Sequence, residues 1–137
     1  MTDIELAKSS LDGHSICLCL DGEIITDDGR GISTMMKFIA EEKDLTGFSA
    51  ADVIVGKAAA MLFVKAGIVC VHGKTMSESG KAYLDTHGIP CTYDILTEKI
   101  INRHGTDICP MEKTVIDIDD TEKGSEALRI RLETIAK

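Results

Sequence analysis

The alternation of short apolar runs with helical segments between residues 52 and 95 constrains the fold most strongly. The runs 52–55, 68–72 and 91–95 are rich in β-branched and apolar residues, and the segments 57–65 and 77–86 between them suit helices. Strands joined by single helices pair in parallel through right-handed crossovers. The pattern therefore predicts three parallel strands in an α/β domain.

A hairpin precedes this region. The apolar runs 15–20 and 23–26 flank Asp21-Gly22, a dipeptide that favours a type I′ turn because both central residues take positive φ. Helices are predicted over 2–11 and 33–43. Together these elements predict a three-layer αβα sandwich around a mixed five-stranded sheet, with helices on both faces.

The last third of the chain is less regular. Its pattern predicts a short helix over 97–103, a loop over 104–113 and, as an open alternative, a last strand over 114–118. An acidic linker at 119–124 then leads into an amphipathic helix at 125–137.

Composition narrows the class of protein. A chain of 137 residues fits one domain, residues 1–137. The net charge of −8 and the absence of Trp argue against nucleic acid as a partner. The longest apolar stretch, 58–64, is short of the roughly 20 residues that span a bilayer, and residues 1–12 do not resemble a signal peptide. We therefore expect a cytoplasmic protein that is not inserted in a membrane, with its five cysteines as free thiols.

Two predicted helices begin at a glycine beside a cation. Gly56-Lys57 follows a strand, and Arg30-Gly31 precedes the helix at 33–43. Free N–H groups at a helix start attract anions, and glycine lets a ligand approach the backbone. Gly56-Lys57 is not a P-loop, because Ala51 and Ala58 stand where that motif needs Gly and Ser or Thr. A tight turn with a solvated lysine is the alternative interpretation.

The loop from Arg103 to Lys113 is dense in reactive residue types and contains Cys109. A cysteine near cationic groups can become a nucleophile, whereas most isolated cysteines are buried and inert. Cys17 and Cys19 alternate along one predicted strand and are expected to face the core. No second pair of ligands with zinc spacing accompanies them.

The motifs DVIVGKAAAMLFVKAG and GTDICPMEK resemble the family of domains of unknown function numbered 1893, whose fold is similar to that of the cytidine deaminases. Those enzymes hold zinc with a His or Cys near a catalytic Glu at one helix start and with Pro-Cys-x-x-Cys at a second. The corresponding positions here carry 29–33 (GRGIS) and 56–59 (GKAA). The resemblance thus implies the deaminase fold without the zinc site.

These observations lead to one functional hypothesis: a metal-free, deaminase-like protein without a cofactor that binds a small anionic or nucleotide-like ligand. The expected ligand-binding residues are Arg30, Gly31, Gly56, Lys57, Asp107 and Glu112, with Cys109 as a reactive or redox-active thiol. Two alternatives are a non-catalytic regulatory or scaffold domain and a zinc enzyme that uses His104 and Cys109. Whether the chain is an enzyme, and whether it forms a homodimer, are left open.

Overall fold

A computed structural model describes residues 1–102 and 105–136, which form a mixed five-stranded sheet with helices. The helices are α1 (Asp3–Ser10), α2 (Ser33–Ala40), α3 (Lys57–Ala66), α4 (Glu78–Thr86), α5 (Pro110–Val115) and α6 (Thr121–Ala136). The strands are β1 (Ile16–Leu20), β2 (Glu23–Asp27), β3 (Ser49–Val55), β4 (Cys70–Ser77) and β5 (Cys91–Thr97). Their order across the sheet is β2-β1-β3-β4-β5. The predicted α/β class and the mixed five-stranded sheet are confirmed.

The predicted hairpin and parallel strands are both present. β1 pairs antiparallel with β2 around Asp21 (φ 48°) and Gly22 (φ 88°), as the type I′ turn requires. β1 also pairs antiparallel with β3, whereas β3, β4 and β5 run parallel. The parallel strands therefore end at one edge of the sheet, where α3 and α4 begin.

Local sequence signals explain the helix boundaries. The Thr2 hydroxyl accepts a hydrogen bond from Glu5 N at 3.2 Å at the start of α1, and the Ser77 hydroxyl accepts one from Gly80 N at 3.0 Å at the start of α4. Gly67 ends α3 in the left-handed conformation, with φ 82°. These residues are ordinary caps, so the boundaries of these helices follow from the sequence.

The two faces of the sheet bury different amounts of apolar surface. Alternate residues of β1 and β3 pack under α1, which forms a small cluster with the fully buried Cys17, Cys19 and Ala51. The residues of β1 and β3 that alternate with these, such as Leu18 and Ala50, face the opposite side of the sheet. There they join a large core that includes residues of α2, α3, α4, α5 and α6. The inward orientation predicted for Cys17 and Cys19 is therefore confirmed.

The C-terminal third differs from the prediction. No helix is found over 97–102, where β5 ends and an extended bridge pairs Ile101 with Ile108. Residues 110–115 form a helix where a loop and then a strand were expected, and α6 begins at Thr121, inside the expected linker. Arg103, His104 and Lys137 lie outside the described residues. In the described part of the chain, no helix is long and apolar enough to cross a membrane.

Asp52 is a buried acid in β3, and it provides a test of this core. Its carboxylate accepts a hydrogen bond from Ile54 N at 3.3 Å, and burial raises the pKa of Asp52 to about 7. Because burial raises the pKa of Asp52, the folded state favours the neutral carboxyl. The contribution of Asp52 to the free energy of unfolding is therefore highest below about pH 4 and is lost as the pH rises through 7. We expect Asp52→Asn to be more stable than the wild type at pH 8, by up to roughly 4 kcal/mol.

Urea unfolding of both proteins between pH 4 and pH 8 measures this difference. The gain should shrink as the pH falls from 7 towards 4, because the free-energy cost of protonating the buried Asp52 carboxyl on folding becomes smaller. A difference in unfolding free energy that does not depend on pH would show that Asp52 is not a buried, ionisable group in the folded protein.

Candidate functional site

The start of α3 already holds a carboxylate, and it comes from the chain itself. Glu112 of α5 accepts hydrogen bonds from Lys57 N to Oε1 and from Ala58 N to Oε2, both at 2.8 Å. The first N–H groups of a helix have no partner within the helix and favour a negative charge. Glu112 therefore occupies the position at which the sequence predicted an external anion.

Two glycines permit close packing around the start of α3. A Cβ at Gly56 would lie 2.3 Å from Glu112 Oε1, so any side chain there would collide with the carboxylate. A Cβ at Gly80 would lie 2.9 Å from the carbonyl oxygen of Val55, so the glycine lets α4 approach the turn between β3 and α3. Gly56 is needed for the close approach of an oxyanion to the helix start.

Lys57 is not the solvated lysine that the sequence suggested. Its side chain is 11% exposed, and Nζ lies 2.9 Å from Asp119 Oδ1 and 3.4 Å from the carbonyl oxygen of Ile116. Asp119 is exposed, so solvent weakens the electrostatic part of this pair. The buried aliphatic stem and the two contacts make Lys57 part of the packing between α3 and the segment after α5.

Tyr83 of α4 completes this set of polar contacts. Its hydroxyl donates to the carbonyl oxygen of Asp119 at 2.9 Å and lies within hydrogen-bond distance of the Thr121 hydroxyl. The segment between α5 and α6 is thus tied to α3 by Lys57 and to α4 by Tyr83.

A cleft of about 210 Å³ lies at the carboxyl edge of the parallel strands. Its walls come from the starts of α3 and α4, the segment after β5, and α5 with its flanking residues. The lining residues are Lys57, Ser79, Glu98, Lys99, Ile100, Ile108, Glu112 and Ile116. Ligands of open α/β sheets bind at this edge. The cleft is the candidate site because it includes two of the predicted residues, Lys57 and Glu112.

A larger groove of about 510 Å³ lies between α2 and α6. Several of its charged side chains are paired with one another, Lys65 with Glu122 at 2.6 Å and Arg129 with Glu126 and Glu133. The residues predicted to bind a ligand do not line this groove, so we place the candidate site in the smaller cleft.

The other predicted helix start, at Arg30-Gly31, is arranged differently. Both residues are exposed, and Gly31 has φ 55°. Within the described residues, no hydrogen bond or ion pair connects them with Gly56 or Lys57. The cleft over α3 is bounded by the α4 and α5 regions instead of the start of α2.

Asp27 organises the loop that contains Arg30 and Gly31. Its carboxylate accepts hydrogen bonds from Gly29 N at 3.0 Å and from the Thr34 hydroxyl, and Lys37 Nζ lies 3.7 Å away. The Thr34 hydrogen bond is the main reason that the pKa of Asp27 lies below its usual value. Asp27 thus contacts the first turn of α2, just as Glu112 contacts the first turn of α3.

Cys109 is half-buried immediately before α5. Its backbone N donates to the carbonyl oxygen of Ile100 at 2.9 Å, which ties the loop to the segment after β5. Lys113, a cation that the sequence placed near this thiol, pairs with Asp107, and this contact lowers the pKa of Asp107. Cys109 does not line the cleft, although its neighbours Ile108 and Glu112 do.

Sequence reasoning gives no signal for the surroundings of His72. His72 lies within β4 and is buried, with Nδ1 2.7 Å from the Thr92 hydroxyl and Nε2 3.5 Å from Asp94. Burial is the main cause that lowers the pKa of His72. In-register pairing of His72 with Thr92 creates this contact, which becomes visible only once the strand register is known.

The residues at the two helix starts do not fit a deaminase-type zinc site. α3 begins with Lys57, Ala58 and Ala59, and α2 begins with Ser33 and Thr34, so neither first turn offers a thiol or an imidazole. In residues 1–102 and 105–136, no cluster of three or more His, Cys, Asp or Glu could hold a metal ion. The alternative zinc site at His104 and Cys109 lies partly outside the described residues.

Comparison with known proteins identifies the family. The sequence model of the family described as "TM1506: Domain of unknown function (DUF1893)" matches residues 6–132. The chain belongs to the DUF1893 family. It is similar to the crystal structure of a DUF1893 family protein (TM1506) from Thermotoga maritima, with a TM-score of 0.81 and 24% identity over 98% of this chain and 91% of the other. At this identity the likeness supports the fold alone. No curated protein matches the chain.

The contact between Glu112 and α3 can be tested through stability. We expect Glu112→Gln to lower the free energy of unfolding by about 1–2 kcal/mol, because a neutral amide interacts less well with the helix start and retains one acceptor oxygen. Glu98→Gln is the matched control, since Glu98 lines the same cleft and is exposed. Urea unfolding at pH 7 measures both changes, and an equal effect of the two substitutions would contradict the capping role.

Proposed function

We propose that this chain is a metal-free protein with a cytidine-deaminase-like fold that binds a small anionic or nucleotide-like ligand in the cleft beside α3. In this proposal, the acidic group of the ligand replaces the Glu112 carboxylate at the N–H groups of Lys57 and Ala58. Glu112 therefore keeps the helix start occupied while the ligand is absent.

The carboxylate on these two N–H groups is the observation that carries the proposal. Two hydrogen bonds of 2.8 Å hold it, which demonstrates that the backbone there can accommodate an oxyanion. Gly56 leaves the space that the oxyanion needs. A carboxylate or phosphate of a ligand could make the same two hydrogen bonds.

The architecture supports the proposed fold relationship. The order of helix, hairpin, helix, strand, helix, strand, helix and strand from α1 to β5 is the order that the resemblance to the deaminases implies. In that family the first turn of α3 would carry zinc-binding cysteines. Here the first turn offers backbone N–H groups to an oxyanion instead, so the proposed site keeps the location and changes the chemistry.

The second candidate is a regulatory or scaffold domain without a ligand. The contacts of Glu112 with α3 and of Lys57 with Asp119 favour it, because each charged group already has a partner within the chain. These contacts also hold α5 and the segment after it against α3. The two candidates differ in one measurable respect. Only a binding site should exchange the internal carboxylate for an external anion.

Anion binding distinguishes these candidates. We expect phosphate or a nucleoside monophosphate to raise the Tm of the wild type at constant ionic strength, because a ligand that binds the folded state stabilises it. Glu112→Gln should bind the same probe about 10-fold more tightly, since the competing carboxylate has been removed. Isothermal titration calorimetry measures the Kd.

Glu98→Gln serves as the control, since it removes one negative charge from the same cleft and leaves the α3 contact intact. An equal gain in affinity in both variants would reflect net charge and not displacement of Glu112. If neither phosphate nor the nucleotide binds the wild type or Glu112→Gln, the ligand proposal is wrong and the scaffold function is favoured.

We further propose that Cys109 is a reactive thiol beside the cleft. Burial raises the pKa of Cys17 to about 12 and also raises the pKa values of Cys19, Cys70 and Cys91. Those four thiols are therefore poor nucleophiles near neutral pH. Cys109 should react with iodoacetamide first in the native protein.

Mass spectrometry of native protein labelled at several pH values gives the occupancy of each cysteine. Cys91 is the matched control, because it is half-buried like Cys109 and burial raises the pKa of the Cys91 thiol. If Cys109 is labelled last, or only after unfolding, its proposed nucleophilic and redox roles are both wrong.

A further inference from the structure

β5 is an edge strand with an open side. It pairs with β4 on one side, and in the described part of the chain no other strand pairs with it. Val71 N donates to the carbonyl oxygen of Pro90 at 3.0 Å, so the backbone groups of the even-numbered residues of this segment face β4. The N–H and C=O groups of Cys91, Tyr93, Ile95 and Thr97 therefore point away from the sheet.

The side chains of β5 make this edge unusually apolar for a surface strand. Ile95 is 60% exposed, and Leu96 and Tyr93 are 39% and 38% exposed. Edge strands are commonly protected from pairing by lysine, proline or a covering element. β5 contains neither lysine nor proline, and residues 92–96 are all exposed.

The low charge of β5 favours a second copy of this chain as the partner that pairs with its open side. The protein carries a net charge of −8, so two copies repel each other unless the contact surface has few charges. Asp94 is the one charged residue among the seven of β5, and its carboxylate lies 3.5 Å from His72 Nε2. In contrast, the outer strand β2 begins at Glu23 and ends at Asp27.

Symmetry favours β5 pairing with itself. Pairing of β5 with β2 of another copy would be head-to-tail and would leave free edges that recruit further copies. Antiparallel pairing of β5 with β5 across a two-fold axis uses the same edge on both chains and closes the assembly as a dimer.

We propose that two copies associate through β5 to form a continuous ten-stranded sheet, with the two-fold axis at Ile95. This register sets Ile95 against Ile95 and Tyr93 against Thr97, so that outward backbone groups face one another. A register centred on Asp94 would place two carboxylates directly opposite each other, which is unfavourable. Strand pairing alone gives a small interface, and the dimer is therefore expected to form in a concentration-dependent equilibrium.

Hydrogen exchange of individual amides tests this pairing with an internal control. In a dimer, the amides of Tyr93, Ile95 and Thr97 should be protected at roughly 1 mM protein and lose protection at roughly 10 µM. The amides of Asp94 and Leu96 face β4 and should be protected at both concentrations. Fast exchange of the outward amides at the higher concentration would overturn the proposal.

Substitution identifies the surface independently. Ile95→Lys should remain monomeric in sedimentation equilibrium at the concentration at which the wild type has twice the monomer mass. Ile130→Lys is the matched control, because Ile130 is an equally large apolar residue, 51% exposed, on α6, and this variant should dimerise as the wild type does. A monomeric wild type, or a dimer that persists in Ile95→Lys, would show that β5 is not a self-association edge.

Discussion

The carboxylate of Glu112 at the start of α3 is the contact on which the C-terminal part of the structure depends. It joins residues that lie 55 positions apart in the sequence and satisfies two N–H groups that the helix leaves unpaired. Lys57 and Tyr83 add contacts to the segment that follows α5. The chain after β5 therefore packs against the carboxyl edge of the parallel strands through polar contacts as well as apolar ones.

In this acidic chain, internal carboxylates lie at or near two helix starts. Helix starts carry partial positive charge, and Glu112 places an oxyanion against two free backbone donors of α3. Asp27 instead accepts from the Thr34 hydroxyl of α2 and from Gly29 N in the loop before that helix. Such contacts stabilise the fold in the absence of ligand. Under the proposed function, an external anion would have to displace the Glu112 carboxylate, so its affinity would depend on how firmly α5 is held.

The strands of the sheet differ in how far the helices cover them. β1, β3 and β4 are buried between α1 and the larger helical layer, whereas β5 has five consecutive exposed residues. The same strand contributes Thr92 and Asp94 to the surroundings of the buried His72. β5 thus completes the interior on one side, and no strand among the described residues pairs with its other side.

The sequence by itself determined the α/β class, the hairpin at Asp21-Gly22 and the three parallel strands, because turn residues and apolar periodicity act over a few neighbouring positions. It also marked Gly56, Lys57 and Glu112 as residues of interest. Tertiary structure alone decided that Glu112 meets α3, that Lys57 is buried against Asp119 and that His72 contacts Thr92. These contacts join residues 20 to 62 positions apart, and such pairs leave no local pattern because chain packing, not neighbouring sequence, brings them together.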